Sequence, residues 1–580
     1  MKKRILERRA ALAVATAIAL CAQGARAETR ACDADNGGLS LAPGFCATVF
    51  VDNLGHVRHM VVAPDNTLYA NTWSGRYFPN SPPPEAGFLI ALKDTKGSGH
   101  ADVIERFGWT PRQGGAGGSG IALYNGGLYA EESDKIMRYP LERGSLVPNR
   151  APSVVVSGLP LTGDHPMHPF VIDKEGSLFV DVGSATNACE TKNRAPRSPG
   201  QSPCVEKETR GGTWKFDANK SDQKFSPAER YATGIRNGEG FAFDVDGRLF
   251  ETQHGRDQLF QSWPHLFTPQ QSAELPAEEI VLLERGADYG WPECYFDQFQ
   301  GKLVLAPEYG GDGKIVALCA ERTPPVAAFP GHWAPNDLLI YRGTAFPDGY
   351  RGGAFVAFHG SWNRAPLPQD GYKVVFQPLS AGKTSAPYVV FADGFAGAVK
   401  TPEKAAFRPG GLAEGPDGAI YVSDDVHGRI WRIAYLGDGS DKVAAAPARG
   451  AASGGGAAEP PEGVYPDAGR AARILPVPPG SSAELVTLGN RVFHGEAADG
   501  TCAGCHGSEG GGTPQGPPLV QGRWQWSDGS LAGIKSTIEK GVLQPKHYQG
   551  AMPPLGGAPL TPRDLEAVAA YVWALANAQR

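Results

Sequence analysis

Three things are scarce in this sequence: long apolar runs, methionine and net charge. Beyond an apolar stretch from Ala10 to Leu20, no run approaches the ~20 apolar residues a membrane-spanning helix needs, so no integral membrane span is expected. A formal net charge of -6 on 580 residues excludes nucleic acid or an anionic membrane surface as the main partner. No G-x-G-x-x-G links a strand to a helix, which excludes a Rossmann-bound nicotinamide or flavin. Of five methionines only Met552 lies beyond residue 470, and that scarcity narrows the choice of a metal ligand.

What is plentiful is turn chemistry. The 76 glycines and 49 prolines exceed ordinary usage and favour an all-β chain. The length allows two or three domains with real cores. At the N-terminus, Lys2, Lys3 and Arg4 precede the apolar stretch, and Ala25-Arg26-Ala27 fits an A-x-A cleavage site. Residues 1–27 therefore read as a signal peptide, with Arg8-Arg9 leaving twin-arginine export open beside the Sec route. The expected location is the periplasm.

Cysteine usage agrees with export. Apart from Cys21 and the pair Cys502/Cys505, six cysteines fall in close neighbours: Cys32/Cys46, Cys189/Cys204 and Cys294/Cys319. An oxidising compartment favours disulfides, and neighbour pairing is the expectation among the fifteen arrangements that six thiols allow.

Between residues 50 and 436 one pattern recurs: an apolar strand, a turn on Asp, Asn or Gly, and a second apolar strand. Copies stand at 60–69, 120–129, 170–179, 241–250 and 411–421, with a divergent one at 338–358. Alternation marks half-buried strands, and Asp-Gly or Asn-Gly supplies the positive-φ residues of a tight hairpin. A period of roughly 50 to 70 residues suggests propeller blades. Six blades fit residues 28–436; seven blades or a sandwich are the alternatives. Composition then shifts to Ala, Gly and Pro, giving a linker over 437–470. A small all-α domain is expected over 471–580. Its last helix is announced by Thr561 as cap, Pro562 at the first position and apolar residues at helical spacing to Leu575.

That tail carries Cys502-Ala503-Gly504-Cys505-His506. A C-x-x-C-H run attaches a c-type haem: two thiols add to the vinyl groups and the histidine binds the iron. The other uses of such a pair are a disulfide or half a zinc site, but zinc needs a second ligand pair, and none follows. Met552 is the expected sixth iron ligand, because a Met/His pair raises the haem potential; His494 and His547 are the rivals. A one-electron carrier in the tail implies an electron source upstream.

Two stretches stand out there. One is Gly163-Asp164-His165-Pro166-Met167-His168. The other runs from Gly234-Ile235-Arg236-Asn237 through Glu251-Thr252-Gln253-His254-Gly255-Arg256-Asp257 to Tyr289-Gly290-Trp291-Pro292. Arg236 suits a carboxylate-bearing ligand, although a surface arginine in a turn reads the same way. Together with His359-Gly360-Ser361-Trp362-Asn363-Arg364 and Pro416-Asp417-Gly418 before Ser423-Asp424-Asp425, these segments resemble the soluble quinoprotein glucose dehydrogenase family, and more closely its sorbosone dehydrogenase-like branch. The resemblance covers roughly residues 40 to 436.

The resemblance implies a six-bladed propeller that uses pyrroloquinoline quinone (PQQ) and calcium. His165 matches the catalytic histidine that takes the substrate's hydroxyl proton, with His168 as its rival. Arg236 and Asn237 match residues touching the quinone. Arg408 resembles a carboxylate-binding arginine, and Arg364 stands where a further cationic contact is expected. The backbone carbonyls of Gly255 and Arg256 match calcium ligands. Pro166 and Pro169 depart from the glucose enzymes, so substrate contacts do not carry over. The function expected is a periplasmic quinohaemoprotein dehydrogenase acting on a sugar, a sorbosone-like sugar aldehyde or a related polyol. It would pass electrons through haem c to an external acceptor such as a cytochrome or copper protein. The alternatives are a calcium-dependent propeller lactonase and a non-catalytic sugar-binding propeller that carries a cytochrome.

Overall fold

The computed structural model describes residues 32–72, 84–108, 117–365, 367–402, 404–447, 475–494, 497–498, 502–506, 510, 512, 516–520, 522, 524–548, 551–558 and 560–578. The expected signal peptide, residues 448–470 of the expected linker, and residues 471–474 lie outside the described residues.

Every strand-turn-strand copy becomes the first two strands of a blade, and there are six blades. Blade one is Val57–Val62, Leu68–Thr72, Leu89–Lys93 and Val103–Phe107. Blade two is Ile121–Tyr124, Gly127–Glu132, Lys135–Pro140 and Ser153–Ser157. Blade three is Phe170–Ile172, Ser177–Val182, Gly212–Asp217 and Arg230–Thr233. Blade four is Phe241–Phe243, Leu249–Gln253, Glu278–Leu282 and Ala327–Phe329. Blade five is Pro335–Ile340, Ala354–Phe358, Lys373–Gln377 and Val389–Asp393; blade six is Pro409–Glu414, Ile420–Asp424 and Ile430–Tyr435. The divergent copy at 338–358 is thus the opening hairpin of blade five. Within the copies the turn glycines do what the pattern requires: Gly176 and Gly247 sit at φ 91° and 81°, where a Cβ is disfavoured.

The ring is closed by the N-terminus. Phe45–Val51 pairs antiparallel with Ile430–Tyr435, with Phe45 opposite Tyr435 and Ala47 opposite Ile433, and becomes the outer strand of blade six. Ser40–Leu41 adds itself to blade five beside Val389–Asp393. This zipping leaves no open seam between the last blade and the first.

Between blades five and six lies an aromatic cluster of Phe45, Phe346, Tyr350, Phe355, Phe376 and Phe391, all buried, with Phe45 edge-on to Phe346 at 4.7 Å. Truncating a ring as enclosed as Phe355 to alanine costs about 3–5 kcal/mol. Disulfides join Cys32 to Cys46, Cys189 to Cys204 and Cys294 to Cys319, the neighbour pairing expected. Cys502 and Cys505 are in no disulfide.

The C-terminal domain is helical: Ala483–Phe493, Cys502–His506, Leu531–Lys540 and Pro562–Asn577. Thr561 caps the last helix in a reciprocal box with Asp564, and Pro562 opens it. This helix packs on the opening one so closely that a Cβ on Gly489 would lie 1.9 Å from the Ala567 carbonyl oxygen. Among the described residues no helix is long and apolar enough to cross a membrane.

Candidate functional site

In an antiparallel blade the start of the first strand and the end of the second lie at the same edge. Arg58 and Arg408 stand at or just before first strands. His254 to Asp257, His359 to Asn363 and Asp425 follow second strands. Their loops, with those carrying His165, Arg194 and Arg236, meet at one mouth of the propeller around a cavity of about 320 Å³.

Four arginines line this cavity, and each is held. Arg236, buried, donates from Nη2 to Asp257 Oδ2 at 2.9 Å and to Asn187 Oδ1 at 3.0 Å, and from Nη1 to the Gly255 carbonyl at 2.9 Å. Arg194 donates to Asp164 at 2.9 Å and to Asp257 at 3.0 Å. Arg58 pairs with Asp425 at 2.7 Å, and Asp425 also meets His359 Nε2 at 2.8 Å. Arg408 gives its donors to the backbone carbonyls of His359 and Gly360. Burial alone would raise the Asp257 carboxyl, but Arg236 and Arg194 override it and hold it well below the ordinary range. Glu278, also on the wall, shows the opposite outcome: burial dominates and pushes it up to about 7.

His165 is on this wall and His168 is not. The Nδ1 of His165 lies 3.0 Å from both the carbonyl oxygen and Oγ of Ser184, and Ser184 Oγ in turn donates to the Thr186 carbonyl at 2.7 Å. A carbonyl can only accept, so Nδ1 carries the proton and Nε2 is left as a basic lone pair. Burial, with Arg236 and Arg194 nearby, keeps the ring neutral, its pKa well below the ordinary histidine value. His168, 1% exposed, has both nitrogens engaged, with Glu131 at 3.2 Å and the Pro160 carbonyl at 2.9 Å. It serves the interior of the propeller. Asn237 also lines the cavity and donates to His254 Nδ1 at 3.3 Å, while His254 Nε2 donates to the Pro335 carbonyl at 3.1 Å.

The cationic contact expected of Arg364 lies off the wall, as does Arg256, expected only for its backbone carbonyl. Arg364 is buried behind it, donating to the carbonyls of Ala273 at 3.1 Å and Gly331 at 2.8 Å and pairing with Glu274. The Arg256 side chain turns to Glu308. Gly255 does line the cavity, but its carbonyl already accepts from Arg236. Among the described residues the one cluster of metal-ligating side chains is Cys189, Cys204 and Glu206, in which the two sulfurs are a disulfide. A carbonyl oxygen has two lone pairs, so the Gly255 carbonyl keeps one beside the bond from Arg236, and the Glu278 carboxylate accepts from the Gly255 N–H at 2.9 Å.

The residues that sequence reasoning did not single out are Asp257, Arg194, Arg58, His359 and Asp425. Asp257, His359 and Asp425 stand inside the quoted phrases, and Arg58 interrupts an apolar strand, which is a legible signal. Arg194 gives none, because only the fold brings it to Asp257.

A second, apolar cavity lies in the C-terminal domain. Cys502, Cys505, His506 and Met552 line it, with Phe493, Trp524 and Val572 among the apolar residues. His506 donates from Nδ1 to the Pro517 carbonyl at 2.9 Å, which leaves Nε2 as the ligating nitrogen. His494 is turned away, with Nδ1 on the Asn490 carbonyl at 2.8 Å, and neither it nor His547 lines the cavity. Two thiols, an imidazole with a free Nε2 and a thioether around an apolar slot fit a covalently held haem.

The family model described as TrAA12-like matches residues 111–435. The chain belongs to the TrAA12-like family. In this TrAA12-like protein residues 489–572 match a second model, described as cytochrome C oxidase, cbb3-type, subunit III. The pyrroloquinoline quinone-dependent pyranose dehydrogenase of Coprinopsis cinerea is 29% identical over 239 residues, 34% of this chain and 30% of that protein. The cbb3-type cytochrome c oxidase subunit FixP of Rhizobium etli is 39% identical over 79 residues, 13% of this chain and 27% of that protein. The holo pyranose dehydrogenase PQQ domain from Coprinopsis cinerea shares the propeller fold, with a TM-score of 0.54 at 20% identity over 68% of this chain and 97% of that one. The chain spans half or less of the length of the curated relatives it matches.

Proposed function

We propose that this chain is a periplasmic quinohaemoprotein dehydrogenase that oxidises a sugar, a sugar aldehyde or a related polyol. The observation that carries the reading is His165, its Nδ1 fixed on Ser184 and its Nε2 free, on the wall of a cavity lined by four arginines. That wall suits a flat polycarboxylate such as PQQ, with Arg236, Asn237 and Arg408 as its holders. A bound PQQ supplies the acceptor for a hydride, and a covalent haem c on Cys502 and Cys505 supplies a one-electron carrier.

The protein's own part is proton handling and positioning. His165 Nε2 takes the substrate's hydroxyl proton as the carbon-bound hydrogen departs. The neutral ring is ready for this, because burial disfavours its charged form before the reaction. Arg236 and Arg408 orient the cofactor's carboxylates, and Asp257 keeps Arg236 from swinging into the space. His506 and Met552, which line the same cavity, would be the residues that ligate the iron. A hydride carries two electrons and a haem takes one, so with both groups bound each substrate would call for two one-electron transfers. An external cytochrome or copper protein would receive them. A calcium ion at the Gly255 and Arg256 carbonyls would share the Gly255 oxygen with Arg236, and titration of the PQQ-loaded protein with calcium tests that site.

The deciding experiment is dye reduction by the haem-loaded protein, with and without PQQ, on aldoses, sorbosone and simple alcohols. PQQ-dependent dye reduction is expected. Lactone hydrolysis without dye reduction would overturn the reading in favour of a hydrolase.

A further inference from the structure

The two cavities share a wall. Trp362 and Asn363 line both the arginine-rich cavity of the propeller and the apolar cavity of the C-terminal domain. They belong to a ledge, residues 361–365, that follows the second strand of blade five. The ledge is pinned from behind by Arg364, through Ala273, Gly331 and Glu274, and from the side by Asn363, which donates from Nδ2 to Asp257 Oδ1 at 2.9 Å. At its end Ala365, 4% exposed, packs into the apolar core of the C-terminal domain with residues such as Val568 and Val572.

The short helix Leu259–Ser262 flanks the ledge. Gln258 at its start adopts a left-handed backbone, φ 64°, and places Nε2 3.8 Å from Cys505 Sγ. Gln261 comes so near Gly557 that a Cβ there would lie 3.0 Å from the Gln261 Cβ. From the other side, Gly512 of the C-terminal domain reaches the wall of the propeller cavity. Among the described residues no ion pair joins the two domains; contact is through apolar and amide groups.

We propose that the ledge Trp362 to Ala365, together with the helix Leu259–Ser262, is a built docking seat for the chain's own haem domain. Among the described residues Trp362 and Asn363 are the ones that line both cofactor sites and so part them. The seat's role is positional: it holds the haem-bearing helix Cys502–His506 over the propeller mouth, so that internal electron transfer crosses one layer of side chains. Because no ion pair among the described residues holds the seat, screening should leave it intact, unlike docking of an external acceptor through exposed charges. The inference rests on the reading of the two cavities as quinone and haem sites.

The test uses the full-length protein loaded with PQQ and haem, and two variants, Ala365→Asp and Gln261→Arg. The first places a charge in the buried contact; the second pushes a long cation against Gly557 from a half-exposed position. Hydrogen exchange is read over residues 258–263 and 361–365. In anaerobic single turnovers, reduction of the quinone by substrate and reduction of the haem are followed as separate signals. The expected result is faster exchange in both segments and at least tenfold slower haem reduction in the variants. Quinone reduction should stay within twofold, and the wild-type haem rate should be unchanged up to about 0.5 M salt. Unchanged exchange in both variants, or a haem rate that falls with salt in the wild type, overturns the docking seat. If substrate never reduces the quinone in the wild type, the functional reading fails instead, and the exchange data judge the seat alone.

Discussion

Replacing Asp257 by asparagine removes the one carboxylate that ties three loops together. Asp257 accepts from Arg236 at 2.9 Å, Arg194 at 3.0 Å and Asn363 at 2.9 Å, and its side chain is 16% exposed against 4% and 3% for the two arginines. Breaking a buried ion pair by neutralising one partner typically costs about 3–5 kcal/mol, because the other charge is stranded. Arg194 keeps Asp164 at 2.9 Å, so only Arg236 loses its carboxylate and falls back on Asn187 and Gly255. The low end applies: about 3 kcal/mol, or roughly a hundredfold in the unfolding constant. Guanidinium denaturation with the disulfides intact, followed by tryptophan fluorescence, measures it, while haem absorbance reports on the tail domain separately. PQQ should then raise the midpoint more in the variant than in the wild type, because an anionic ligand restores the missing charge beside Arg236. A loss below about 1 kcal/mol, or equal gains from PQQ in both proteins, would show that Asp257 does not hold Arg236 in place.

Other perturbations separate the remaining roles. His165→Ala should lower turnover about a hundredfold or more while PQQ binding stays measurable, the loss expected of a missing general base; unchanged turnover refutes the assignment. Met552→Ala should lower the haem midpoint potential and open the iron to added ligands, as a spectroelectrochemical titration would show. A third prediction concerns pH. Asp181 and Glu251 are fully buried side by side near Gly238; burial raises Glu251 to about 8, and burial together with the Glu251 carboxyl raises Asp181. A raised folded-state pKa means stability that is complete below the ordinary carboxylate range and lost as pH rises to the raised value, so these groups should lower the melting temperature from about pH 4.5 to about pH 8. Glu251→Gln should flatten that decline. It should leave the acid-side loss, set by the depressed Asp257 and Asp425, where it was; an unchanged alkaline slope refutes the shared burial as its cause.

The blades and the haem site were legible because their signals are local. A hairpin declares itself within ten residues, since alternation and a positive-φ turn are properties of the chain segment itself. The five clear copies and the divergent one at 338–358 each became the inner pair of a blade. Cys502, Cys505 and His506 are fixed by spacing on one helical turn, and the lone Met552 of the tail left a single sulfur to line the cavity with them. The cavity in the propeller mouth was readable only in part, because it is made by contacts across the ring. Arg58 meets Asp425 across 367 residues of sequence, and Asn363 meets Asp257 across 106.

No local pattern tells which way a loop side chain turns. Arg364 and Arg256 sit in the right segments yet spend their charge behind the wall, whereas Arg194, without a motif, stands on it. The same holds for His165 and His168, three residues apart, one facing the cavity and the other locked inside by Glu131. Sequence alone marked the six strand-turn-strand copies, the C-x-x-C-H run and the candidate base. Tertiary structure decided which charges face the cavity, and that Trp362 and Asn363 line both it and the apolar cavity of the C-terminal domain, because direction and proximity depend on neighbours far away in the chain.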